Sequence, residues 1–186
     1  MEIITSEEYN PIMQDTNGNG SLREYGMDSI VNYGCCPQTW EDPHHIDVYT
    51  KCPGDNDPID VCDISRTSMA IGAVYPVKIL GILGMIDEDE TDWKVIGINI
   101  NDPIACQVSS VEDLRNVSGM NDRVQEMYEW FRDYKIPEGK GTNEFAFNGQ
   151  AKNADFAMKI IVETHNSWKK LLIEPRSSKL WLPKNR

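Results

Sequence analysis

Val74-Tyr-Pro-Val-Lys-Ile-Leu-Gly-Ile-Leu-Gly-Met-Ile86, followed across an acidic turn by Trp93-Lys-Val-Ile-Gly-Ile-Asn-Ile100, is the stretch that decides the fold. Both runs are rich in aliphatic and β-branched residues and are bounded by acidic turns, which predicts strands. Val61 to Ile64 adds a shorter one. Gly72, Gly81, Gly84 and Gly97 lie inside or beside these runs, where glycine marks a bulge or a close backbone approach. Tightly curved sheets need both, so the expected architecture is mainly β with flanking helices (α+β), a small closed OB-like barrel with helices packed outside.

The helical signal gathers in the second half. Val124, Met127, Tyr128 and Phe131 recur at helical spacing within 121–134, and Ala157, Ile160, Ile161, Thr164, Trp168, Leu171 and Leu172 form a longer apolar stripe from Asp155 onward. Ser110 with Asp113 three residues later resembles a capping arrangement. No linker or compositional break divides the 186 residues, so 1–186 reads as a single domain, with 178–186 as a frayed tail.

A formal net charge of −12 excludes nucleic acid as a partner, because neutralising a phosphate backbone needs clustered Lys and Arg. If an anionic substrate binds such a chain, cations must come with it. No apolar run approaches the roughly 18 to 20 residues needed to span a bilayer, and Met1-Glu2-Ile3-Ile4 has the pattern of neither a signal nor a transit peptide. A soluble protein in the cytoplasm is therefore expected. The five cysteines form no CxxC pair and read as reduced structural thiols.

Chemistry concentrates in Gly54-Asp55-Asn56-Asp57-Pro58-Ile59-Asp60-Val61. In an extended backbone Asp55 and Asp57 project to one side about 6 to 7 Å apart, and Asp60 joins them only if Pro58 turns the chain. Carboxylates held this close repel one another and tend to take up protons unless a divalent ion relieves them. A second acidic run, Asp87-Glu-Asp-Glu-Thr-Asp92, occupies the turn between the two principal strands, with Lys94 just beyond it. Oxygen-only ligands select magnesium, manganese or calcium over zinc. Tyr134 and Lys135 stand at a predicted helix end, where a phenol and an ammonium can hold phosphate oxygens.

These residues resemble the eukaryotic type of the family I soluble inorganic pyrophosphatases. Asp55 through Val61 meets that family's signature in full. Asn32-Tyr33-Gly34, Pro37-Gln-Thr-Trp-Glu-Asp-Pro43, Asp92-Trp-Lys-Val-Ile96 and Phe131 to Pro137 look like family blocks in family order, and the likeness runs from about Glu2 to Leu172. It implies a magnesium-dependent inorganic diphosphatase, a hydrolase of phosphate metabolism that turns pyrophosphate into two phosphates. Several magnesium ions per site are implied, with manganese as a substitute.

By the same resemblance Asp55, Asp60 and Asp92 hold the tightest metal, Asp60 bridges to a second, and Asp87 with Asp92 holds one that arrives with substrate. Asp57 helps deprotonate the attacking water. Arg23, Lys94, Tyr134 and Lys135 grip the phosphoryl groups, Tyr134 counting among the catalytic residues, while Glu2, as a further metal ligand, and Tyr33 line the same site. A homodimer is also implied. The family carries a stretch before the position of Glu2 that supplies an acid and a lysine, is longer between Arg23 and Asn32, and usually has a tyrosine where Ser29 stands. An intact metal cage with a thinned substrate grip is expected, with a catalytically weakened or inactive relative that serves in binding or regulation as the alternative.

Three other motifs carry rival readings. Asp15-Thr-Asn-Gly-Asn-Gly-Ser-Leu22 matches the start of an EF-hand loop, but Gly26 stands where a bidentate Glu is required, so a tight hairpin is expected. His44-His45 has no third ligand nearby and reads as solvated. Asn116-Val117-Ser118 fits the glycosylation pattern and reads as incidental.

Overall fold

The computed structural model describes residues 2–174 and 180–182. In chain order the strands are β1 (Glu2–Ile3), β2 (Ile12–Met13), β3 (Asn32–Cys35), β4 (Asp60–Asp63), β5 (Val77–Asp87), β6 (Glu90–Asn99), β7 (Glu144–Phe145) and β8 (Lys152–Asn153); the α-helices are α1 (Arg123–Asp133) and α2 (Ala154–Ile173). β1 pairs with β2 apart from the rest. The main sheet runs β3-β4-β6-β5-β7, with β8 on the outer edge of β5.

Alternation explains how one sheet carries two apolar faces. Successive strand residues point to opposite sides. Val61, Ile82, Trp93 and Val95 pack with Ala157 and Ile160 of α2, whereas Cys62, Leu83, Met85, Ile96 and Ile98 pack with Met127 and Phe131 of α1 and with Ile104, Val108 and Leu114. Each fully buried aliphatic side chain contributes about 1.5–3 kcal/mol, so burying both faces of β5 and β6 makes this hairpin the anchor of the fold. The register of β5 against β6 slips between Ile79 and Gly81, the bulge the glycines led one to expect. At Gly84 a Cβ would fall 2.7 Å from the Trp93 ring, so the glycine is what lets that indole lie across the strand.

The fold is mainly β with flanking helices, as expected. Closure into a barrel is not among the pairings of the described residues: β3 and β7 end the path, and β7 and β8, two residues each, divide the edge of β5 between them. Asp113 accepts from the backbone N–H groups of Ser109 at 2.7 Å and Ser110 at 3.0 Å, which caps a 3-10 turn over Val111–Asn116. Of the expected tail, 178–179 and 183–186 lie outside the described residues. Trp181, which is described, donates its N–H to the Thr5 carbonyl at 2.7 Å and packs its ring 4.9 Å from that of Tyr9. The cysteines are free thiols. Among the described residues no helix is long and apolar enough to cross a membrane.

Candidate active site

Parallel pairing of β4 with β6 sets Asp60 opposite Lys94, and Asp92 shares the face of Lys94 because it lies two residues earlier. The buried Lys94 ammonium therefore meets both carboxylates, at 2.5 Å from Asp60 and 2.6 Å from Asp92. It also donates to the Tyr33 hydroxyl at 3.0 Å, and that hydroxyl donates in turn to Asp60. Burial works against charge on Lys94, but Asp60 and Asp92 outweigh it and hold its pKa well above the usual lysine range.

Asp55 and Asp57 reach the same place by a turn. Asn56 takes φ +75°, and the Asp57 N–H donates to the Asp55 side chain at 2.9 Å, so the extended spacing expected for this pair gives way to an Asx turn. The loop is locked to a neighbouring one: Asn56 N–H donates to the Glu41 carbonyl at 3.0 Å and Glu41 N–H to the Asp57 carbonyl at 2.9 Å. A Cβ on Gly54 would stand 2.4 Å from the Glu41 carbonyl, which explains a glycine at that contact.

Interlocking brings in a residue that sequence reasoning missed. Glu41, 3% exposed, accepts from the Trp93 N–H at 3.1 Å through Oε1, while its buried Oε2 has no partner. Glu41, Asp55 and Asp92 each offer an oxygen within 4.8 Å of the others. The only signal for it was one of two adjacent acids, Glu41 and Asp42, beside Trp40.

Burial and then mutual repulsion push Glu41 and Asp55 well above the ordinary carboxylate range. Burial likewise pushes Asp92 up to about 7 and Asp57 up to about 6. Desolvated carboxylates that resist ionisation, one of them with an orphaned oxygen, are the donor set a hard divalent cation satisfies. The residues present fit such an ion.

Asp87 closes β5, before a two-residue turn whose Glu88 and Asp89 both adopt positive φ, +49° and +66°, the geometry of a tight hairpin. Lys135, just past α1, pairs with Asp87 and lies 3.4 Å from Glu88; the Tyr134 hydroxyl is 3.5 Å from Asp87. Arg23 is paired with Asp15 at 3.2 Å and Glu138 at 3.1 Å, stacks over Tyr25 at 4.3 Å, and lies near enough for its charge to bear on Tyr134. The Tyr25 hydroxyl donates to Glu2 at 2.8 Å, so Tyr25, which no sequence signal singled out, links Arg23 to Glu2 in a cluster beside the acidic centre, where the Glu2 charge adds to the upward push on Asp57 and Tyr33. The Asp15 loop is a hairpin, with its carboxylate on Arg23 and Thr16 bridged to Leu22, and the EF-hand reading falls.

Fold and site together define a mainly β protein with an oxygen-only acidic centre, ringed by lysine and tyrosine and suited to a hard cation. The family model for inorganic pyrophosphatase matches residues 15–169, and the chain belongs to that family. It is 48% identical over 184 residues to the inorganic pyrophosphatase of Mus musculus, spanning 96% of this chain and 63% of that protein, and 47% identical over 172 residues to that of Dictyostelium discoideum, spanning 92% and 61%. The chain thus spans less than two thirds of these relatives' length. The structure of the Schistosoma japonicum inorganic pyrophosphatase superimposes with a TM-score of 0.90 at 47% identity, covering 97% of this chain and 65% of the other. An N-terminally truncated vacuolar soluble pyrophosphatase of Trypanosoma cruzi, solved with PPi, gives 0.87 at 45% identity, covering 91% and 64%.

Proposed function

We propose that this chain, acting in the cytoplasm as one domain, hydrolyses inorganic pyrophosphate to two phosphates with magnesium as its cofactor and manganese as a substitute. The observation that carries the reading is the Glu41–Asp55–Asp92 cluster beside Asp60 and Lys94, in a chain whose family model is that of inorganic pyrophosphatase. Asp55, Asp60 and Asp92, with Asp87 and Glu2, would hold the metal, and Glu41 completes the cage. When bound, the ions screen the carboxylates from the incoming anion and lower the pKa of water at the site.

The chain's own groups do the rest. Asp57 takes the proton of the attacking water on Oδ2, since Oδ1 accepts from the Thr5 hydroxyl at 3.2 Å. Lys135 and Tyr134, at the end of α1, turn from Asp87 toward the phosphoryl oxygens and stabilise charge on the departing phosphate. Lys94 and Tyr33 hold the other phosphoryl group. Arg23 contributes by exchanging Glu138 for substrate. The curved β5–β6 hairpin is read as one wall of a closed barrel, in which the bulge after Ile79 supplies the bend.

Phosphate release from pyrophosphate tests the reading. Release is expected with magnesium, not with chelator, and is expected to collapse in Asp57→Asn; folded, metal-binding protein that releases no phosphate overturns it.

A further inference from the structure

A polar cavity of about 300 Å³ opens at the end of the β3–β4 pair away from Asp60. None of the residues placed above in the acidic centre or the Arg23 cluster lines it. Its wall includes Arg66 and Arg123, the hydroxyls of Ser29, Ser65 and Ser68, and one carboxylate, Glu126.

Its charge runs against that of the chain. Acids outnumber Lys and Arg by 30 to 18 in the sequence, yet two guanidinium groups face one carboxylate here. Arg123 is fixed by donating to the Ile30 carbonyl and by Glu126 at 3.3 Å. Arg66 donates through Nη2 to the Ser118 carbonyl at 2.6 Å. Its backbone N–H donates to Asp102 Oδ2 at 3.1 Å, but among the described residues its guanidinium makes no ion pair, unlike those of Arg23, Arg123 and Arg132. A guanidinium carries five N–H donors, so most of those on the exposed Arg66 are open to a ligand or to water, and among the described residues the Ser68 hydroxyl has no hydrogen-bond partner. Guanidinium forks match the geometry of phosphate oxygens. No Phe, Tyr or Trp lines the cavity, so nothing there would stack on a nucleobase.

We propose that this cavity is a binding site for inorganic phosphate, held by Arg66 and Arg123 with the Ser68 hydroxyl. The proposal goes beyond the hydrolase reading and does not depend on it. Asn32 and Ile64 in the cavity wall continue the strands that carry Tyr33 and Asp60. Asp63, next to Ile64, lies three residues beyond Asp60, about 10 Å along the strand.

The test is phosphate binding in EDTA, followed by calorimetry and ³¹P line broadening. Without divalent ions the acidic centre repels anions, so binding under these conditions reports the cavity. Wild-type protein is expected to bind phosphate, and sulfate to compete with it. Arg66→Gln is expected to weaken binding at least tenfold with little change in thermal midpoint, because Arg66 is an exposed residue. Ser68→Glu, which adds a carboxylate to the wall, is expected to abolish it. No binding in EDTA, equal binding by both variants, or displacement by chloride at matched ionic strength would overturn the proposal. None of these results bears on pyrophosphate hydrolysis, which is measured separately with magnesium.

Discussion

The Lys94 ammonium lies 2.6 Å from each carboxylate oxygen of Asp92, two residues earlier on the same strand. Both groups are buried, and Asp60 shares the same ammonium. Removing one member of such a cluster leaves buried charge uncompensated, which costs about 3–5 kcal/mol. Lys94→Gln is therefore expected to lower the urea midpoint markedly in chelator, and magnesium is expected to restore much of the loss by taking over the neutralisation of Asp60 and Asp92. A midpoint that does not move in chelator would show that the ammonium is not what holds these carboxylates together.

Stability without metal should depend on pH in the direction opposite to that of ordinary ion-paired carboxylates. Burial raises Asp92 to about 7 and Asp57 to about 6 from a reference of 3.8. Between about pH 4 and 7 the folded protein thus binds protons that the unfolded chain has released. Stability falls with rising pH wherever the folded state binds more protons. In chelator these two groups are expected to favour folding most below pH 4, with the contribution lost as pH rises through 6 and 7. Magnesium is expected to flatten that slope, and urea titrations at several pH values, with and without the ion, measure both effects.

Glu41→Gln keeps the size of the side chain and an oxygen to accept from Trp93 N–H, but removes the negative charge. Divalent affinity is expected to fall at least tenfold, about 1.4 kcal/mol, while stability in chelator rises because one repelling carboxylate has gone. Calorimetric titration with magnesium and manganese reads the first effect and thermal unfolding the second. Unchanged affinity would remove Glu41 from the cage.

Much of this was legible because it depends on local pattern. Strand-forming runs located β4, β5 and β6, apolar spacing located α1 and α2, and the carboxylates at 55, 57, 60, 87 and 92 announced an acidic centre. Glu41 was not legible, since its place depends on hydrogen bonds between two loops that lie more than ten residues apart in sequence. Nor was the pairing of Arg23 with Glu138, 115 residues away and just past α1, which only the tertiary fold brings within reach. The turn at Asn56 was hidden for a different reason: an Asp-Asn-Asp run reads equally well as extended backbone, and only its contacts with Trp40 and Glu41 select the positive φ.

Thr5 offers a test of how Asp57 is positioned. Its hydroxyl donates to Asp57 Oδ1 at 3.2 Å, and its carbonyl accepts from Trp181 N–H at 2.7 Å, so a residue near the other end of the chain steadies the contact. A hydrogen bond to a charged group contributes about 1.5–3 kcal/mol, and this one favours the ionised carboxylate, opposing the burial that raises Asp57. Thr5→Val removes the donor while keeping the branched shape. Asp57 should then hold its proton to higher pH, so the acid limb of the phosphate-release rate is expected to move upward in pH and kcat near neutrality to fall severalfold, with KM little changed. Thr5→Ser, which keeps the hydroxyl, is expected to return both toward the wild-type profile. If Thr5→Val slows the reaction without moving the acid limb, or if Thr5→Ser fails to rescue it, the hydroxyl supports the loop through packing alone and Asp57 is set by Asp55 and Glu41.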